Sequence, residues 1–389
     1  MKRIFVLIVL LGVFAISCKK QTSAYISNEP VTGVDQAQQR PACGMEEAMA
    51  ALSPEMKAAL LNAANRTESQ AAELLLFLDF DGAIVRAGFP NPTGYNSPII
   101  SGQRFCPPPS LNAEQEQAVI ALVKDDYSPF NIVITTDQSV FDSYPAQNKQ
   151  ICIITTIPQV IGFGSGIGGV SPFNGIGSRL PFNPCFVFSN VYGSDLASIA
   201  GVISHETGHA MGLGHQHKFS EGCNFLAEYH PGFGTGPISF VPIMGDAGSK
   251  RIVNWFAQSC LSPTFGVPQN DFTLLNNQVA LREDDFPGSP AGSAQPSGEI
   301  TGVLEEDGDV DFIRINFRNP SDVVISSENI DVKVSVYTPG GHLLGTYDDP
   351  ADTGITIPGL NGNRYLKIEA VSNANMSSQF MTGQYKIVY

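Results

Sequence analysis

His205-Glu206-Thr207-Gly208-His209-Ala210-Met211-Gly212-Leu213-Gly214-His215 reads H-E-x-x-H-x-x-G-x-x-H, and the rest of the chain can be placed by how it supports, covers or delivers this stretch. His205 and His209 are four residues apart, so on a helix both imidazoles leave one face and reach one ion. Glu206 follows the first of them and is no ligand. It leans toward the open coordination position, where a carboxylate can take a proton from a water that the ion has acidified. Gly212 can adopt a backbone conformation barred to other residues, so the helix can stop there and the chain can bring His215 back to the same ion. Three neutral imidazoles leave Zn2+ with a free fourth position, the set that brings the pKa of bound water to about 7. Five fixed residues, three of them scarce histidines, have a chance expectation on the order of one in a hundred thousand for a chain of this size. Coincidence on a buried helix is the weaker reading.

The chain has 389 residues, 43% of them hydrophobic, enough for two domains with real cores. A formal charge of -15 offers no basic stripe to neutralise phosphates and argues against nucleic acid as a partner. Lys2 and Arg3 precede an apolar run from Ile4 to Ile16 that is too short to span a membrane and reads as a targeting segment. Ala15-Ile16-Ser17-Cys18 resembles a bacterial lipoprotein signal, with Cys18 as the lipidated first residue and Ala15 standing where that pattern usually has leucine. Ordinary secretory cleavage is the other outcome. Either way the chain is expected to be exported, as an envelope lipoprotein tied to a membrane by its lipid or as a secreted protein.

Setting Cys18 aside leaves Cys43, Cys106, Cys152, Cys185, Cys223 and Cys260. An even number in an exported chain predicts three disulfides. Cys223 and Cys260 are the favoured pair, because they bracket the segment after the metal motif. A rival reading has Cys43, in Pro41-Ala42-Cys43-Gly44-Met45, occupying the metal in a manner similar to a propeptide cysteine switch.

Residues 19 to about 40 are polar, as in a tether. A helical pattern runs from Met45 to Ala64, with Ser53-Pro54-Glu55 as an N-cap and first turn. Leu74 to Phe80 is a continuous apolar run suited to a buried strand. Ala113 to Val123 reads as a helix, with strands at Asn131–Thr136 and Gln150–Thr156. Strand, helix, strand, strand before the metal helix implies a mixed sheet backed by helices. Residues 161–184 are glycine-rich and read as a flexible rim over a cleft. Gly164, Gly166 and Gly169 match a GxGxxG spacing, but Val170-Ser171-Pro172-Phe173-Asn174 cannot open the helix a dinucleotide site needs. Cys185 to Ser189 is a candidate edge strand for pairing with an extended peptide. Ser194 is the expected N-cap of the metal helix, Asp195 its first turn, and Leu196, Ile199, Ala200 and Ile203 its buried stripe.

The long histidine motif, together with Pro242-Ile243-Met244-Gly245, whose methionine lies 29 residues beyond His215, resembles the metzincin clan of zinc endopeptidases. Leu78-Asp79-Phe80-Asp81-Gly82 and Ser128-Pro129-Phe130-Asn131 are similar to stretches of secreted bacterial peptidases of that kind. The resemblance implies that His205, His209 and His215 bind zinc, that Glu206 is the general base and later the proton donor, and that Met244 forms a Met-turn beneath the metal. It also implies a protein or peptide substrate. Gln216, after the third ligand, matches none of the well-known subfamily markers, and Asp246 stands where some members place a tyrosine after the Met-turn. The group that stabilises the oxyanion beyond zinc is therefore unassigned, with Tyr229-His230 as a candidate. His217 reads as a surface or supporting residue, and Trp255 as core beneath the site.

Composition changes near Asp284-Asp285, and Phe286 to Ser297 is rich in proline, glycine, serine and alanine. Short alternating strands come next, including Asp311–Phe317, Val323–Ser327, Asp331–Tyr337 and Arg364–Val371, which suggest a β-sandwich. Gly302-Val303-Leu304 through Asp309-Val310-Asp311-Phe312 resembles the pre-peptidase C-terminal domain of secreted bacterial proteases. Asp307, Asp309 and Asp311 are a candidate Ca2+ set, against the commoner reading of acidic turns as simply solvated.

The expected fold is therefore α+β, a metzincin-like mixed sheet with an active-site helix followed by an all-β sandwich. The expected divisions are a signal over 1–18, a tether and pro-segment helix over 19–70, the catalytic unit over 71–283, a linker over 284–298 and the sandwich over 299–389. A zinc endopeptidase is the leading reading. The second is a surface adhesin or glycan- or protein-binding lipoprotein whose zinc site is not catalytic.

Overall fold

A run of apolar residues without polar alternation must be covered on both faces. In the computed structural model, which describes residues 15–17, 73–87, 95–97, 99–172, 184–263, 266–292, 295, 298–372 and 381–389, two such runs form the middle of a sheet. Along the chain come β1 (Ala15–Ser17), β2 (Leu74–Asp79), β3 (Ala83–Ala87), β4 (Asn96–Ser97), β5 (Gln103–Cys106), α1 (Ala113–Asp126) and β6 (Ile132–Thr135). After them stand α2 (Gln138–Ser143), β7 (Lys149–Thr155), β8 (Gly169–Pro172), β9 (Cys185–Phe188) and α3 (Leu196–Ala210). The sheet order is β1-β8-β9-β7-β2-β6. β6, β2, β7 and β9 are mutually parallel, β8 runs antiparallel to β9, and β1 runs antiparallel to β8.

Successive side chains of the central strands point to opposite faces. Leu74, Leu76, Leu78, Cys152, Ile154 and Val187 meet Val119, Val123, Ile199 and Ile203 of α1 and α3. Leu75, Phe77, Ile151, Ile153, Phe186 and Phe188 meet Val85, Phe141, Ile161 and Ile167 on the other side. The sequence expectation of an edge strand at Cys185–Ser189 is corrected here. β9 lies between β7 and β8 and is buried at every residue, and the strand outside it is β8. β8 arises from the glycine-rich stretch, whose few side chains carry no alternating signal. Residues 173–183 of the expected rim lie outside the described residues, as do Cys18, Cys43 and the helix expected over 45–64.

The cysteine expectation also changes. Cys223 and Cys260 are bonded, while Cys106, Cys152 and Cys185 are buried free thiols. Cys152 and Cys185 are direct partners on parallel strands. The usual strand spacing of about 4.8 Å exceeds the Cβ separation of a disulfide. Cys106 faces the opposite core, with the sheet between it and that pair.

Beyond α3 come β10 (Lys218–Phe219), β11 (Phe225–Ala227), β12 (Phe240–Pro242), β13 (Ile252–Asn254) and α4 (Asp271–Asn276). A second sheet is built from β14 (Glu299–Leu304), β15 (Val310–Ser327), β16 (Val332–Tyr337), β17 (Leu343–Tyr347), β18 (Ile355–Ala370) and β19 (Gly383–Val388). Its order is β14-β19-β15-β18-β16-β17, antiparallel throughout. Two expected strands, Asp311–Phe317 and Val323–Ser327, are halves of β15, and the register shifts between Phe317 and Val323, around Pro320. That sandwich-like sheet shares its core with Phe240 and Ile252 from β12 and β13. Asn254 Nδ2 donates to Asn329 O (2.8 Å) and Thr382 O (3.0 Å), and Gln384 Nε2 donates to Asp125 Oδ1 (2.7 Å). The two sheets are thus joined through packed and hydrogen-bonded contacts as well as through the chain.

The three aspartates proposed for Ca2+ do not converge as a ligand set among the described residues. Asp309 spends its carboxylate on Glu305 N and Val310 N, and Asp311 accepts from Tyr385 Oη (2.5 Å). Burial, with the neighbouring carboxylates, pushes Glu305 up to about 9 and Asp311 up to about 8. Burial likewise pushes Asp285 up to about 6, with Arg282 pulling the other way. Carboxyls raised in this way favour the fold while protonated, and that contribution is lost as pH rises through their folded values. The melting temperature should therefore fall between pH 5 and pH 9, and Asp311→Asn should flatten the dependence in thermal scans. An unchanged slope in Asp311→Asn would count against this origin.

Candidate metal centre

The metal helix α3 begins one residue later than the sequence suggests. Asp195, not Ser194, is the N-cap, accepting from Ser198 N (3.1 Å) and Ser198 Oγ (2.6 Å). A carboxylate there satisfies an orphan amide and complements the helix dipole. Ile199, Ala200 and Ile203 are fully buried against the sheet, and Leu196 is half-buried. At the other end Gly212 has φ +94°. Gly212 N donates to His209 O (2.9 Å) and Leu213 N donates to Gly208 O (3.0 Å), the paired bonds of a Schellman turn. A side chain at Gly212 would be strained in that conformation, and this turn reverses the chain toward His215.

His205, His209 and His215 are all buried, and their ligand atoms lie within 4.8 Å of one another. His205 Nδ1 is 2.8 Å from Ile243 O, and His209 Nδ1 is 2.8 Å from Leu213 O. Each backbone carbonyl fixes the proton on Nδ1, leaving Nε2 as the lone-pair nitrogen. His215 Nε2 is buried and completes no hydrogen bond. Burial pushes His205 down to about 4 and holds His209 and His215 well below the usual histidine range, with the neighbouring imidazoles adding to the effect. Three neutral imidazoles, two of them oriented by carbonyls and the third with a nitrogen left orphaned, could together hold a metal ion.

Met244 packs against the helix at Gly208, between the first two histidines. It is fully buried, and its Sδ is 2.6 Å from where a Cβ on Gly208 would stand. The turn holding it is fastened to the ligands, since Ile243 O meets His205 and Gln216 N donates to Met244 O (2.8 Å). Trp255 shares the same core and packs against Tyr127 at 5.1 Å, with its Nε1 donating to Asp126 O (2.7 Å).

Glu206 is fully buried and lies against β8. A Cβ on Gly169 would come within 2.5 Å of Glu206 Oε1, so a larger residue there would have to displace the carboxylate. Tyr229 sets its ring 4.7 Å from that of His215 and 6.3 Å from that of His205. His230 turns away and packs on Phe233 at 4.5 Å. His217 is buried beside the triad but outside it, its Nδ1 2.8 Å from Glu228 O.

The histidine motif carries no signal for the polar network behind the third ligand. Gln269 clamps Gly214 from both sides, accepting from its N (2.9 Å) and donating to its O (2.7 Å). Gln216 and Gln269 both donate to Asp271 Oδ1, at 2.7 and 2.8 Å. Burial pushes Asp271 up to about 7 despite those bonds. Only Gln216, by its place after His215, was open to notice.

No protein-family model and no curated protein matches the chain. Among solved structures it is similar to the pre-peptidase C-terminal domain of a collagenase from Bacillus anthracis, at 15% identity over 25% of this chain and 98% of that one, with a TM-score of 0.18. It is also similar to PliG, a periplasmic inhibitor of g-type lysozyme, from Aeromonas hydrophila (12% identity, 27% of this chain, 95% of that one, TM-score 0.20). The Salmonella Typhimurium PliG matches at 20% identity over 23% of this chain and 84% of that one, with a TM-score of 0.17. Among the described residues no helix is long and apolar enough to cross a membrane.

Gln269→Ala would strip both partners from the Gly214 backbone and one from Asp271. Unsatisfied buried groups of this kind should cost about 2–4 kcal/mol, read from urea unfolding of the metal-free protein. A loss below about 0.5 kcal/mol would show that water replaces the clamp.

Proposed function

We propose that this chain is an exported zinc-dependent endopeptidase of metzincin type. The convergence of His205, His209 and His215 beside the buried carboxylate of Glu206 carries this reading. Zinc, when bound, would supply Lewis acidity to the scissile carbonyl and lower the pKa of water. Glu206 would accept a proton from that water and hand it to the leaving amine. A carboxylate buried between a helix and a strand is shielded from bulk water, which keeps its proton transfers local.

The strand beside Glu206 suits an extended peptide. β8 takes an antiparallel partner on its outer side, which in this structure is β1. Cleavage before Cys18 would remove residues 15–17 and free that row of backbone groups for a substrate strand. The mixed sheet under α3 and the turn around Met244 further support the metzincin reading. The Cys223–Cys260 bond supports an oxidising compartment, and the Cys18 signal supports anchoring by lipid at the cell envelope.

Glu206→Gln should keep zinc binding while lowering kcat by about 10²–10⁴-fold, measured on a proteome-derived peptide library. Residual turnover within tenfold of wild type would remove Glu206 from the mechanism. A zinc-loaded wild type that cleaves nothing in the library would favour the binding-lipoprotein reading instead. Gly169→Ala should displace the Glu206 carboxylate and lower kcat by about 10²-fold without weakening zinc, since small misplacements of a reacting group are costly. Wild-type turnover in that variant would show that β8 yields to the methyl group.

A further inference from the structure

The three imidazoles are not held in the same way. His205 and His209 each set Nδ1 against a backbone carbonyl at 2.8 Å. His215 lies past the helix, and beside its Nδ1 stands a side chain, Glu228 Oε1 at 3.4 Å. Neither ring nitrogen of His215 completes a hydrogen bond, although the side chain is buried. A neutral imidazole must carry its proton on one nitrogen. The carboxylate of Glu228 makes Nδ1 the favourable place, which leaves Nε2 as the lone-pair nitrogen.

We infer that Glu228 is a positioning residue for the third ligand, selecting the tautomer of His215 and raising its basicity through an imidazole–carboxylate pair. This rests on the proposed metal centre. A carboxylate is a stronger acceptor than a carbonyl and makes the ring it receives from a better donor to a cation. Its charge also offsets part of the ion's charge in a site whose three ligands are neutral.

The backbone around Glu228 is anchored on both sides. Its backbone O meets His217 Nδ1 at 2.8 Å. Gln258 Nε2 donates to His217 O at 2.6 Å, and His230 N donates to Gln216 O at 2.8 Å. The β10–β11 hairpin that precedes Glu228 pairs Lys218 with Ala227 and is tied to the downstream chain by Cys223–Cys260. Both flanks of the carboxylate are therefore anchored, one to the residue after His215 and one to the residue beyond it. Glu228 lies 13 residues past His215, beyond the reach of the motif spacing.

The test is a zinc titration in competition with a chromophoric chelator on wild type, Glu228→Ala and Glu228→Gln, with melting curves of the metal-free proteins and visible spectra of the Co2+ forms. Glu228→Ala should weaken zinc binding by about 10–100-fold, Glu228→Gln by about fivefold because its amide oxygen still accepts, and the Co2+ bands should shift in Glu228→Ala. The metal-free melting temperatures should match wild type. If Glu228→Ala lowers the metal-free melting temperature, the isosteric Glu228→Gln decides by its own affinity and spectrum. Zinc affinities within twofold of wild type in both variants overturn the inference. A wild type that takes up no zinc overturns both the inference and the metal centre, whereas one that binds zinc but cleaves no peptide overturns the endopeptidase reading alone.

Discussion

Three imidazoles can meet at one point only if the helix carrying two of them ends on schedule. In this chain the ending is the Schellman turn at Gly212, and it does more than reverse the backbone. The residue that closes it, Leu213, presents the carbonyl that orients His209. The same hydrogen-bonded corner that terminates the helix thus also selects the nitrogen one ligand offers, and everything downstream begins from its direction. The arrangement is economical because the first and last turns of a helix have unsatisfied backbone groups in any case.

The segment beyond the turn has the harder task. His215 has no helix to hold it, so its position depends on groups drawn from distant parts of the chain. Gln269 and Asp271 secure the backbone at Gly214 and the side chain of Gln216. The Met244 turn receives the amide of Gln216 while its neighbouring carbonyl meets His205. Burying polar groups is costly unless they find partners, and Gln216, Gln269 and Asp271 offset part of that cost by bonding to one another. The C-terminal sheet contributes from a distance. It packs on β12 and β13, the strands flanking the turn that holds Met244.

The places where the sequence misleads share a cause. Cys185–Phe188 looks like an edge because no recognisable strand is visible just before it, and β8 is invisible because glycine supplies no periodic side chains. An even cysteine count suggests three disulfides, yet Cys106 and the Cys152/Cys185 pair lie on opposite faces of one sheet. Asp307, Asp309 and Asp311 share a strand-like spacing, but the carboxylates of Asp309 and Asp311 go to different partners. In each case composition and local pattern were sound and the spatial relation between elements was absent from them.

By itself the sequence determined the chemistry on offer and the local structure that displays it. Four-residue spacing on a helix is a local property, and so are the left-handed turn at Gly212 and the buried apolar runs of β2 and β7. Glu206 and the three histidines are legible for that reason, while Met244 was reached through the resemblance alone. Only the tertiary structure decided which strand lies against Glu206, which amides and carboxylates steady His215, and that Glu228 stands beside it. Those relations join residues far apart in the chain through packing and hydrogen bonds, and no periodicity along the chain encodes a contact made across the fold.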